Sequence, residues 1–151
     1  MSYKLGIVGS RVWTSKAGQV WNKKITNPKQ HVFDKMDQYV VKHGKPSLVI
    51  SGGAKGADTY GVQWAQARGI PIKEYKPSQD LVREYIRQGD SKNFAYKKAA
   101  NTRNTDIVNS SDRVVAFWDR KSRVTRDTLV KAWKSKPRKF DPERDLFYVG
   151  D

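Results

Sequence analysis

The stretch that decides the fold reads Ser47-Leu48-Val49-Ile50-Ser51-Gly52-Gly53-Ala54-Lys55-Gly56-Ala57-Asp58. A short apolar run ends in a turn built on glycine. The turn opens straight into a helix-period segment, from about Asp58 to Arg68, that carries Val62, Trp64 and Ala65 and stops at Gly69. A buried strand passing so quickly into a helix is the start of a βαβ unit, and βαβ units pair their strands in parallel. Upstream, Leu5-Gly6-Ile7-Val8 closes the same way on Gly9-Ser10-Arg11.

The rest of the chain repeats the alternation. Residues 12–29 read as a long loop, with Gly18, Asn27 and Pro28 as breakers. Phe33, Met36, Val40 and Val41 then fall at helical spacing, and His43-Gly44 ends that helix. A short strand is expected over 71–75, a small helix through Leu81, Val82, Tyr85 and Ile86, and a longer helix over about 93–109. The run Arg113-Val114-Val115-Ala116-Phe117-Trp118 is a further strand leading to Asp119-Arg120-Lys121-Ser122. The helix after it places Leu129, Val130 and Trp133 on one face, and Leu146 to Val149 adds a last strand. Strands alternating with helices predict one α/β domain over residues 1–151: a Rossmann-like, open, doubly wound and mostly parallel sheet with helices on both faces.

Composition narrows the function classes. The chain has no cysteine, which removes disulfides, thiolate zinc sites and thiol nucleophiles. No run approaches the ~18 apolar residues of a membrane span, and the apolar start is too short for a signal-peptide core. A soluble, cytoplasmic protein with no membrane partner is expected. Lys and Arg number 30 against 15 Asp and Glu, a net charge of +15. Such a chain attracts polyanions, so DNA or RNA stands as a candidate partner. The charges look dispersed; the nearest thing to a run, Lys134 to Lys139, reads as an exposed connector around Pro137. His31 and His43 are isolated from acidic or histidine partners at metal-ligand spacing, so no metal site and no cofactor are expected.

In an open parallel sheet, ligands bind outside the carboxyl ends of the strands, where the strand order reverses. Three such ends here are rich in glycine or hydroxyls: Gly9-Ser10-Arg11, Ser51 to Asp58, and Asp119 to Thr125. Glycines let the backbone approach an anion, and the N–H groups that open the next helix add partial positive charge. Arg11 and Lys55 bring full charges. The Ser51–Asp58 turn is neither a Walker A loop nor a G-x-G-x-x-G fingerprint. Arg103 lies in the polar helical stretch Asn101-Thr102-Arg103-Asn104-Thr105-Asp106, as a phosphate contact or as half of an ion pair with Asp106. Asp58 reads equally as a helix cap. Trp13 and Trp21, in the long loop, either stack a base as a lid or pack back onto the domain.

Taken together, Gly9-Ser10-Arg11, the Ser51–Asp58 turn, Arg103-Asn104 and Val114-Val115-Ala116-Phe117-Trp118-Asp119 resemble the SLOG superfamily, and within it the cpYpsA-related group found in bacteria and phages. The resemblance spans residues 4–12 and 46–133. It implies a Rossmann-like fold with a nucleotide-type ligand at the Gly-rich turns, and it turns Arg103-Asn104 toward that crevice. The superfamily also holds phosphoribohydrolases that activate cytokinins and a DNA-processing protein, and its members are commonly dimers or larger, so a homo-oligomer is compatible. This chain departs from the phosphoribohydrolases. Aligned on Thr125, it has Val124 in place of a glycine and Thr128 in place of the glutamate that serves glycosidic cleavage. A carboxylate near the sugar is chemically valuable in such a reaction. Asp119, Asp106 and Asp127 are the available substitutes, and spacing singles out none, with Asp119 the weak catalytic candidate.

The expected function is therefore binding of a phosphate-bearing nucleotide or nucleotide derivative. Gly9, Ser10, Gly52, Gly53 and Gly56 would give backbone contacts, and Arg11, Lys55 and Arg103 the counter-charges. Ser51, Asp58, Asn104, Ser122 and Thr125 complete the predicted site, and Trp118 is expected to meet a base. The alternatives are an N-glycosidase with a displaced carboxylate and a basic DNA- or RNA-binding protein.

Overall fold

The computed structural model describes residues 2–11, 14–15, 18–19, 21–53 and 56–150, with the side chains of 14, 15, 18 and 19 left aside. Five parallel strands form the sheet: β1 (Lys4–Gly9), β4 (Leu48–Ser51), β5 (Ile72–Glu74), β6 (Arg113–Trp118) and β7 (Leu146–Tyr148). Their order is β5-β4-β1-β6-β7, and every neighbouring pair is parallel. The chain winds outward from β1 to β4 and β5, then returns to lay β6 on the other side of β1. The expected Rossmann-like, doubly wound α/β architecture is what the chain adopts.

Strand alternation divides the core into two layers. Leu5, Ile7, Val49, Val115 and Phe117 face one way, against α1 (Pro28–His43) and α2 (Ala57–Ala67). Val8, Ile50, Val114 and Ala116 face the other, against α4 (Lys92–Ser110) and α5 (Arg123–Lys134). A smaller apolar cluster joins α3 (Gln79–Arg87) to α4 through Val82, Ala95 and Ala99. A four-residue helix, α6 (Pro142–Asp145), leads into β7. There the fully buried Asp145 accepts hydrogen bonds from Tyr39 (2.9 Å) and from both Nε and Nη2 of Arg144. Burial and the neighbouring carboxylate push the Tyr39 phenol up to about 12. No helix among the described residues is long and apolar enough to cross a membrane.

Three details differ from the sequence reading. The segment 12–29 is not all loop. A two-stranded antiparallel pair, β2 (Thr14–Ser15) with β3 (Gly18–Gln19), lies within it, and α1 already begins at Pro28. Asn27, read as a breaker, is the N-cap, accepting from Gln30 N, and Pro28 suits the first helical position because its missing N–H has no partner to lose. Val41 does not join the helical core stripe; it is 87% exposed. On α5 the buried set is Thr125, Thr128, Leu129 and Ala132, while Val130 and Trp133 face outward. The sheet-facing side of α5 is thus partly polar, a pattern that apolar periodicity cannot register.

Helix α2, which carries the central turn, is clamped to α1 by one carboxylate. Asp37 accepts from Trp64 Nε1 at 2.8 Å and from Arg68 Nε and Nη2 at 3.0 and 2.7 Å. The Arg68 hydrogen bonds hold its carboxyl below the ordinary value of 3.8. The depressed value means that the contribution to stability is complete above the unfolded-state pKa and lost as pH falls through the folded one. Its side chain is 43% exposed, so solvent screening limits the effect to about 1 kcal/mol or less. Asp37→Asn is expected to lower stability in urea at neutral pH by that amount, with variant and wild type converging as pH drops below the usual carboxylate range.

Candidate functional site

The reversal in strand order falls between β1 and β6, and a crevice of about 910 Å³ opens over the carboxyl ends of the central strands. Its floor begins at Gly9. A β-carbon there would sit 2.5 Å from Ala57 Cβ and collide with the Phe117 carbonyl, so only glycine lets β1, β6 and the start of α2 meet. Ser10 then ties the three together. Its N–H donates to Phe117 O (2.8 Å), its carbonyl accepts from Ala57 N (3.4 Å), and its Oγ accepts from Asp119 N (2.9 Å).

The second turn is organised by the fully buried Ser51. Its Oγ accepts from Gly53 N at 3.2 Å and donates to Asp58 O at 3.4 Å. The N-cap of α2 is Gly56, at φ +96, with no side-chain cap hydrogen bond. Asp58 is therefore not the cap; it is buried in the first turn and lines the crevice. Ala54 and Lys55 lie outside the described residues, as does Trp13.

Across from these turns stands Arg103, only 7% exposed. Its Nη1 donates to Gly52 O at 2.7 Å and its Nε to Asn104 Oδ1 at 2.9 Å. Asp106 is exposed, and the ion pair considered for it is not formed. Burial weakens the charged form of this guanidinium most. The Asp58 carboxylate offsets that, and Arg11 adds repulsion, so its pKa is lowered from the usual arginine value. An arginine still stays protonated. The result is a desolvated cation facing a crevice. Asn104 anchors it from the side, donating through Nδ2 to Val124 O (2.9 Å) and Asp127 Oδ2 (3.2 Å).

The third turn closes on itself. Asp119 Oδ1 accepts from Lys121 N and Ser122 N, each at 2.8 Å, and Ser122 caps α5 by accepting from Thr125 N. Of the predicted residues, Gly9, Arg11, Gly52, Gly53, Asp58, Arg103, Asn104, Asp119, Ser122 and Thr125 share the crevice wall. Ser10, Ser51 and Gly56 shape the turns from behind. Trp118 packs against the core under α5 and donates to Ser122 O at 3.0 Å. Trp21 is fully buried and edge-on to Tyr60, part of the core.

Sequence reasoning missed the outer wall, supplied by the α3–α4 side: Lys76, Gln79, Tyr96 and Lys97, with Lys121 opposite. No motif marks them, because the hairpin of α3 and α4 brings them to the sheet edge only in three dimensions. Lysines and arginines on the wall number five against two aspartates, so the crevice favours an anion. No group of three or more metal-ligating side chains occurs among the described residues.

The family model described as "YspA, cpYpsA-related SLOG family" matches residues 7–81, from within β1 to the start of α3. No curated protein shows significant similarity to the chain.

The Gly52 position offers a direct check on this geometry. An added β-carbon would stand 2.8 Å from Arg103 Nη1 and 2.9 Å from Asp58 Oδ2. Gly52→Ala is expected to displace the guanidinium and to cost about 1–3 kcal/mol by overpacking. Thermal unfolding followed by circular dichroism measures it.

Proposed function

Because the chain belongs to the YspA, cpYpsA-related SLOG family, whose tie is to nucleotides in general, we infer that its crevice binds a phosphate-bearing nucleotide or nucleotide derivative. The observation that carries this reading is Arg103: a guanidinium desolvated at the switch point, facing the Gly9–Arg11 and Gly52–Gly53 turns. Holding such a charge out of water is costly, and an incoming phosphate offsets the cost through charge-assisted hydrogen bonds. The amino end of α2, which opens just after the second turn, adds the positive end of its dipole. Arg11, Lys97 and Lys121 supply further positive charge around the mouth. On the outer wall, Tyr96 is the aromatic ring available to a base, its hydroxyl fixed by Gln79 Oε1 at 3.0 Å. That role passes to Tyr96 from Trp118, whose indole is engaged elsewhere.

Two observations favour binding over cleavage. The resemblance puts Thr128 where the phosphoribohydrolases have their glutamate, and its hydroxyl is turned to Val124 O at 3.4 Å. Asp119, the available carboxylate on that side, spends Oδ1 on two backbone amides. An N-glycosidase would need a carboxylate free to serve water or the sugar.

Calorimetric titration with a panel of nucleoside mono- and diphosphates, together with mass spectrometry of small molecules released on denaturation, tests the reading. Binding that weakens with salt is expected, with Lys121→Ala reducing affinity several-fold and Arg103→Lys reducing it roughly tenfold or more, since a lysine cannot reproduce the guanidinium fork. Circular dichroism checks that both variants remain folded. A protein that retains no nucleotide and binds none across the panel would refute it, and release of free base would move it to the enzymatic alternative.

A further inference from the structure

Much of the net charge of +15 falls in one stretch of the chain, around α5. Residues 120–139 hold nine lysines and arginines and a single aspartate, Asp127, so the region around α5 is strongly cationic. On the helix itself, Arg123, Arg126, Val130 and Trp133 follow one another at spacings of three, four and three, which aligns them on one face. All four are exposed, Trp133 to 40%. The opposite face, through Thr125, Thr128, Leu129 and Ala132, is the one buried against the domain.

Two shallow grooves lie at the ends of this stripe. One, of about 300 Å³, runs between α4 and α5 and is lined by Lys97, Asn101, Arg123, Arg126 and Val130 among others. The other, of about 340 Å³, is formed by the turn after α5, from Trp133 to Arg138. There the Arg138 guanidinium lies 3.7 Å from the centre of the Trp133 ring, a cation–π pair presented to solvent. The first groove shares Lys97 and Val124 with the wall of the central crevice, so the stripe starts at the crevice lip.

Cations alone would suit any polyanion. A solvent-facing indole stacked with a guanidinium, in line with arginines at helical spacing, suits one whose bases are unpaired: phosphates meet the arginines while a base stacks on the Trp133–Arg138 pair. In a duplex the base faces are already stacked on one another, and the exposed ring would have nothing to receive. We propose that the outer face of α5, from Arg123 through Trp133 to Arg138, binds single-stranded nucleic acid. The stripe is about 15 Å long over the helix, enough for a few nucleotides. It stands apart from the crevice reading, because neither Arg126 nor Trp133 lines the crevice.

The test is fluorescence anisotropy of the full chain with labelled single-stranded DNA and RNA oligonucleotides of one sequence, and with the corresponding DNA duplex, over a salt series. Single strands are expected to bind more tightly than the duplex, and the two single-stranded arms tell whether the 2′-hydroxyl is read. Trp133→Ala should weaken binding roughly tenfold while leaving the salt slope unchanged, since stacking releases no counterions. Trp133→Phe should recover most of the loss. Arg126→Ala should lower the salt slope by about 0.7, the share of one phosphate contact on a single strand. Both variants should retain the wild-type circular dichroism spectrum and any nucleoside monophosphate binding. No oligonucleotide binding at low salt, equal binding of duplex and single strand with Trp133→Ala silent, or a concentration-dependent dimer abolished by Trp133→Ala would each overturn the proposal.

Discussion

The meeting of β1, β6 and α2 at Gly9 is the contact on which the rest of the arrangement depends, and it tolerates no side chain. A β-carbon there would run into the Phe117 carbonyl on one side and Ala57 on the other. With glycine in place, the N–H of Ser10 reaches Phe117 O and its carbonyl reaches Ala57 N. The central strand is thereby joined to the strand beyond the topological switch and to the helix that follows the second turn. A crevice at this point follows from the winding, because the helices leaving β1 and β6 depart to opposite faces of the sheet.

The polar part of the crevice wall is supported like a core. Arg103 and Asn104 are both buried, and each is held by backbone carbonyls from other elements, Gly52 and Val124. A long helix with little apolar asymmetry thus spans three environments: Ala95 and Ala99 pack on α3, Ile107 and Val108 on the sheet, and Arg103-Asn104 on the site. Buried polar networks of this kind are stable only when their members are satisfied. The guanidinium keeps its charge at a desolvation cost that an anion would relieve, so the element that stabilises α4 over the turns is also the one on which the proposed phosphate binding rests.

The two proposed binding surfaces differ in how they use charge. In the crevice one cation, Arg103, is buried, four more are exposed around it, and Asp58 and Asp119 oppose them, an arrangement that suits one small anion in a defined pose. Along α5 they are exposed and repeated at helical spacing, which favours a chain of phosphates held with little positional precision. Lys97 and Val124 belong to both margins, and the two surfaces are therefore contiguous.

By itself the sequence determined the alternation of the main strands and helices, the parallel sheet, and the three strand-end turns, because each rests on local signals: apolar runs of strand length and Gly-rich turns. Gly9-Ser10-Arg11, Gly52-Gly53 and Arg103-Asn104 were legible as candidate site residues for the same reason, glycine and charge standing where apolar packing would otherwise continue. Tertiary structure alone decided what those residues touch. It turned Arg103 to Gly52 rather than Asp106, fixed Gly56 and not Asp58 as the cap, buried Trp21, and engaged Trp118 with Ser122. It also assembled the outer wall at Lys76, Tyr96 and Lys97 and set Val130 and Trp133 on the outer face of α5. Helical spacing groups side chains on a face without saying which way the face turns. That is set by the volume to be filled between α5 and the sheet, which Thr125, Thr128, Leu129 and Ala132 occupy and a tryptophan would overfill.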